Sequence, residues 1–252
     1  MILSLRPEVF GQKHLAGVLF VFMLIGFALY LLIRYRTRPM TVLKVSSILI
    51  IALEVAKYLY VGRERGHLPV HQFPFQLCSY SLYAMPLVAF GRKRWREAVL
   101  PFAFGVGMVA ALLVFAYPIT VLGNAPFWFP IEGDWLPFHS FIYHGVMLFF
   151  SLYLVLSKWY KPVYFDIVKA FTLLFIAVAV SGVMNVVLDT NYMFLQNPTG
   201  NPLAVIWNQH GRLWYFLSMV VVAFLLLGIV FLPFAKVQVI QTDGQQTLDY
   251  TD

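Results

Sequence analysis

Seven apolar stretches, each long enough to cross a bilayer, leave this chain few folds to choose from. They run approximately 14–34, 41–62, 73–90, 98–122, 138–157, 164–189 and 212–235. A helix needs roughly 17–25 such residues to traverse about 30 Å of hydrocarbon. Within that layer backbone polar groups must be satisfied by the protein itself, so apolar stretches of this length become helices. The sequence therefore predicts an all-α polytopic membrane protein with seven transmembrane helices. A single transmembrane domain covers 1–236, and a polar cytoplasmic tail covers 237–252. Composition agrees: the chain is 61% hydrophobic and 12% charged, whereas a soluble domain is about half apolar and a quarter charged. No soluble domain fits between the spans. The third stretch is the shortest and carries Gln76, Cys78, Ser79 and Ser81.

Charge sets the orientation. Loops after spans 1, 3 and 5, with Lys236 after span 7, carry 12 of the Lys and Arg residues; the opposite loops carry five, and Lys57 lies within span 2. Basic residues favour the cytoplasmic side, which predicts an outside N-terminus and a cytoplasmic C-terminus in a multi-pass plasma-membrane protein. The first apolar run is too long for a cleaved signal, and its charges follow it as "RYRTRP", which reads as a signal anchor. The formal charge of +7 is spread over short loop clusters, so nucleic acid is not an expected partner. Ala103, Gly107 and Ala111 form a small-residue stripe in span 4, suited to close helix approach.

This topology gathers the polar residues of the spans at one end. All six histidines, His14, His67, His71, His139, His144 and His210, fall on the outer side. With a helical rise of 1.5 Å per residue, Cys78 and Asn185 lie about 6 Å deep, His144 about 9 Å and Glu54 about 10 Å. Ionisable groups at such depth are costly, usually face the bundle interior and often mark function. Glu54 and Lys57, at i and i+3, can pair on one helix face. Trp128, Trp135, Trp207 and Trp214 fit an interfacial aromatic belt.

Several readings of this layer stand side by side. Cys78, the chain's only cysteine, forms no intrachain disulfide. It is either a small apolar filler or a nucleophile. A thiol beside an imidazole supports acyl transfer: the histidine takes the proton and the thiolate attacks a carbonyl. In the outer leaflet that carbonyl would belong to a lipid ester, and an amide such as Asn185 or Asn191 could stabilise the oxyanion. The residues would then be Cys78, His144 and His139 for catalysis, with Asn191, Tyr192, Asn185, Gln76, Glu54, Lys57, His14 and His210 contacting substrate. This reading predicts Cys78 sulfur about 3–4 Å from a histidine nitrogen, both lining a cavity open to the outer leaflet. No HExxH or CxxC spacing marks a metal site, and no cofactor is implied. The alternative is a non-enzymatic transporter or lipid-binding protein whose polar pocket uses Glu54, Lys57 and the histidines.

Four segments carry a family resemblance. "GQKHLAGVLF" leads a histidine into span 1; "FPFQLCSYSLYAMP" contains Cys78; "FHSFIYHGVMLFFSLYLVL" holds His139 and His144; "DTNYMFLQNP" holds an Asn-Tyr-Met-Phe-Leu box at 191–195. Together they resemble the TMEM164/YwaF group of integral membrane proteins. The resemblance implies a membrane acyltransferase acting on phospholipid through a cysteine, here Cys78; more distant relatives resemble hydrolases of fatty esters. Phe75 and Gln76 stand where the group often has leucine and histidine. Gln76 cannot act as a base, so a base role would pass to His144 or His139.

Overall fold

The structure, a computed structural model, describes residues 9–118, 121–131 and 133–234; the expected tail at 237–252 lies outside them. The described residues form helices joined by turns and irregular segments, without strands. The helices are α1 (Gln12–Arg34), α2 (Pro39–Arg65), α3 (Ser81–Phe90), α4 (Lys93–Pro101), α5 (Gly107–Ala116), α6 (Trp135–Leu156), α7 (Asp166–Leu188), α8 (Ala204–His210) and α9 (Arg212–Phe231). A π-helical turn, Phe102–Val106, fuses α4 and α5 into one rod just after Pro101. A proline removes a helical donor and crowds the preceding turn, and a wider turn accommodates that disruption.

Among the described residues six helices are long and apolar enough to cross a membrane: Gln12–Arg34, Pro39–Arg65, Lys93–Ala116, Trp135–Leu156, Asp166–Leu188 and Arg212–Phe234. Four-residue connections, such as the one between Arg34 and Pro39, make neighbouring helices antiparallel. The rod α4–α5 and helix α6 are the interior: 67% of the apolar window of each is buried, against 17% for α7 and α9. Their apolar neighbours Phe104, Phe150, Met147 and Leu154 are almost fully enclosed. The small-residue stripe of the rod faces α6. Ser151 Oγ donates to Ala103 O at 3.1 Å, and a Cβ on Gly107 would sit 3.2 Å from Ser151 Oγ. The rod ends at Ala116, short of the expected 122, because Pro118 biases Tyr117 away from helical angles; Tyr117 has φ −140° and ψ 72°.

The third apolar stretch departs most from expectation. Only Cys78–Phe90 is helical, about 20 Å long at 1.5 Å per residue. Gly66 ends α2 in the left-handed region, where glycine carries no Cβ penalty. Pro69 and Pro74 then hold the chain out of helix, and Phe73, just before Pro74, is extended at φ −63° and ψ 153°. Irregular backbone of this kind needs partners from the protein, and they are present. Tyr192 Oη donates to Val70 O. Ser181 Oγ donates to Phe75 O at 2.8 Å, and Lys57 Nζ lies 3.5 Å from Gln72 O.

Candidate functional site

The site grows from α2, the irregular segment and α6. Glu54 is buried and forms a 2.6 Å ion pair with Lys57, one helical turn on. The Lys57 ammonium also lies 4.8 Å from the centre of the Tyr58 ring. Cys78, partly buried at the start of the 3-10 turn that opens α3, lies within electrostatic reach of both Lys57 and Glu54. From α6, Tyr143 faces the same group: Cys78, Glu54, Tyr58 and Tyr83 all act on its phenol. The Tyr143 ring is 5.9 Å from His139 and 5.6 Å from His144.

Hydrogen bonding fixes both imidazoles. A backbone carbonyl can only accept, so His144 Nδ1, 2.7 Å from Ser140 O, carries the proton. Its Nε2 is then an unprotonated lone pair, and this buried atom has no partner. His139 Nε2 donates to Leu53 O at 2.9 Å, which joins α6 to α2 and leaves Nδ1 as its lone pair. One hydroxyl nearby, Tyr143 Oη, is also buried and unpartnered. Buried polar groups in proteins are nearly always satisfied, so two open hydrogen-bonding positions in one buried polar cluster set this region apart.

The direct thiol–imidazole contact expected from sequence is not made as a hydrogen bond. His139 and His144 spend their bonded nitrogens on Leu53 O and Ser140 O. A groove of about 420 Å³ runs between α1, α2 and α6, and a polar depression of about 440 Å³ lies over Val70, His71 and Asp189–Asn191. Neither is lined by Cys78, His139 or His144.

Four of the residues expected to contact substrate, Asn185, Asn191, Tyr192 and Gln76, are joined in a hydrogen-bonded lock. Asn185 Oδ1 accepts from Tyr192 N at 2.6 Å and Thr190 Oγ1 at 3.1 Å, and its Nδ2 donates to Tyr192 O at 3.0 Å. Asn191 Oδ1 accepts from the backbone of Gln196 and Asn197, and its Nδ2 donates to Asn197 O. Gln76 Oε1 accepts from Met193 N at 2.8 Å. These bonds hold Met193 and Phe194 at positive φ, 54° and 58°, a backbone state that non-glycine residues seldom adopt. Burial raises the Tyr192 phenol above its ordinary pKa, keeping it a neutral donor to Val70 O. Ser181 and Tyr80 complete the lock, with Tyr80 Oη 2.9 Å from Ser181 Oγ.

His14 is likewise consumed. Its Nε2 donates to Phe115 O at 2.7 Å and its Nδ1 accepts from Phe10 N at 2.9 Å. Beside it Lys13 Nζ donates to Leu122 O and Ala125 O, and Trp128 donates to Lys13 O. The "GQKH" opening thus anchors α1 to the end of the rod. His210 is exposed at the end of α8, and His67 and His71 are exposed in the irregular segment. Among the described residues no three of His, Cys, Asp and Glu converge as a metal site.

A model of the TMEM164 family matches residues 9–231. The chain belongs to the TMEM164 family. It is an integral, multi-pass membrane protein, and the match takes in the buried polar cluster, the lock and the α1 anchor alike. No curated protein and no solved structure matches it.

Sequence reasoning missed Tyr58 and Tyr143. A signal for each was present: Tyr58 follows Glu54 by one helical turn, and Tyr143 follows His139 by the same interval.

Proposed function

We propose that this protein performs acyl transfer or hydrolysis on a lipid ester at the outer leaflet, with Cys78 as nucleophile and His144 as general base. The observation that carries the reading is His144 Nε2: a buried lone pair, held in the basic tautomer by Ser140 O and left unpartnered. In the first half-reaction His144 Nε2 takes the thiol proton and sulfur attacks the ester carbonyl. The carbonyl–oxygen bond breaks, and the leaving alkoxide recovers the proton from His144. A thioester on Cys78 remains. In the second half-reaction an acceptor hydroxyl or water gives its proton to His144, attacks the thioester and restores the thiol. Because Asn185 and Asn191 are committed to backbone, the oxyanion donor in this scheme is the free Tyr143 hydroxyl. His139 steadies the α2–α6 contact.

The reading includes a topology. The segment 66–90 makes a seventh crossing, half irregular and half helix, between α2 and the rod. The N-terminus is outside, the arginine-rich loops are cytoplasmic, and the protein resides in the plasma membrane with phospholipids as partners. The test is incubation of the purified protein in phospholipid vesicles, followed by intact-mass measurement. The expected result is an added acyl mass on Cys78 that hydroxylamine removes and that is absent in Cys78→Ala. Acyl exchange between lipids that continues unchanged in Cys78→Ala overturns it. Lipid or solute flux that tolerates Cys78→Ala and fails in Glu54→Gln would favour a transporter instead.

A further inference from the structure

The groove between α1, α2 and α6 shares no residue with the polar cluster around Glu54, Lys57 and Cys78 and extends towards the other end of the bundle. Val21, Ile25, Ala28 and Leu32 form one wall, a rise of about 16 Å along α1. That is about half of the roughly 30 Å hydrocarbon thickness, so the groove has the length of one leaflet. Its lining is almost wholly apolar: the Ser46 hydroxyl is turned back onto Val42 O at 2.9 Å. Leu24, Val45 and Leu49 on its edges are exposed, so it opens sideways, where acyl chains lie.

The mouth has the opposite character. Thr37 and Thr41 line it, and exposed Arg34, Arg36 and Arg38 surround Thr37. No Asp or Glu occurs between residues 9 and 53, and the ion pairs among the described residues involve none of these arginines. The N-terminus of the 27-residue helix α2 also lies here, with Arg38 at the cap position and no side chain capping it. The positive end of the helix dipole favours an anion. An apolar slot one leaflet long thus ends in a site with uncompensated positive charge.

We infer that this groove is a binding site for one anionic phospholipid of the leaflet at the arginine-rich end. An acyl chain lies along Val21–Leu32, and the phosphate sits against Arg34, Arg36, Arg38 and the start of α2. Arginine binds phosphate through a planar fork of donors, and the slot sets the depth of the chain. The site lies on the opposite leaflet from Cys78, so it does not depend on the acyl-transfer reading.

Native mass spectrometry tests this on the full chain released from phosphatidylcholine vesicles containing one-fifth phosphatidylglycerol. The expected result is one retained phosphatidylglycerol, preferred at least tenfold over phosphatidylcholine after correction for abundance. Changing Arg34, Arg36 and Arg38 together to Gln abolishes that preference, whereas Arg94→Gln, at the same end on another helix, leaves it intact. Ala28→Trp fills the slot and removes the retained lipid. Val45→Phe, a smaller change on the open edge, lowers retention several-fold with an unaltered unfolding midpoint, so the site remains testable if the tryptophan variant misfolds. Equal retention of the two lipids overturns the inference. So does retention unaffected by Val45→Phe, or a second copy of the chain occupying the groove with no lipid retained.

Discussion

Two polar clusters occupy the same end of the bundle, and they differ in how completely their hydrogen bonds are closed. The lock around Asn185, Asn191 and Gln76 joins α7 and the following loop to the irregular segment, and the side-chain carbonyl oxygen of each of these residues is filled by backbone N–H. The cluster around Glu54, Lys57 and Cys78 leaves His144 Nε2 and Tyr143 Oη unpartnered. A closed network resists change because each lost partner orphans a buried group. An open one lacks that constraint at its unpartnered atoms. Each cluster draws residues from the segments that carry the family resemblance: Gln76 and Asn191 in the first, Cys78, His139 and His144 in the second.

The contrast can be broken by substitution. The largest effect is expected at Cys78→Ala: acyl transfer in vesicles falls more than about 10³-fold, with thermal stability near that of the unaltered protein. Next is Lys57→Met, which strands the buried Glu54 charge and costs about 3–5 kcal/mol, read as a lowered unfolding midpoint in detergent. The double variant Glu54→Gln, Lys57→Met should recover most of that loss. If it does not, the ion pair contributes packing that its charges do not explain. Third is Asn185→Leu, which orphans Tyr192 N and O and costs about 2–3 kcal/mol. Because Tyr192 holds Val70, the same change should speed maleimide labelling of Cys78. The smallest stability effect is expected at Tyr143→Phe, under about 1 kcal/mol, since its hydroxyl has no partner to lose. A large destabilisation there would move Tyr143 from the open cluster into the closed one.

Much of the fold was legible because hydrophobic length is a one-dimensional signal. Six stretches became membrane-length helices within a few residues of their expected bounds, apart from the rod, which is displaced by five or six residues at each end. In the third stretch only Cys78–Phe90 is helical; its average apolarity concealed the local effect of Pro74, which acts with Pro69 just upstream. The ion pair of Glu54 and Lys57 was readable from their i, i+3 spacing. The fates of His14, Asn185 and Asn191 were not. A histidine or an amide at membrane depth looks the same in sequence whether its partner is a ligand or a backbone carbonyl a hundred residues away, as Phe115 O is for His14.

The sequence by itself determined an all-helical membrane bundle, the gathering of histidines at one end and the charge asymmetry of the loops. Hydropathy and charge act on each segment independently, so no partner is needed to read them. Tertiary structure alone decided which polar atoms remain free. That depends on where a carbonyl of another segment comes to rest: Leu53 O of α2 takes the proton of His139, Phe115 O of the rod takes that of His14, and nothing reaches Tyr143 Oη.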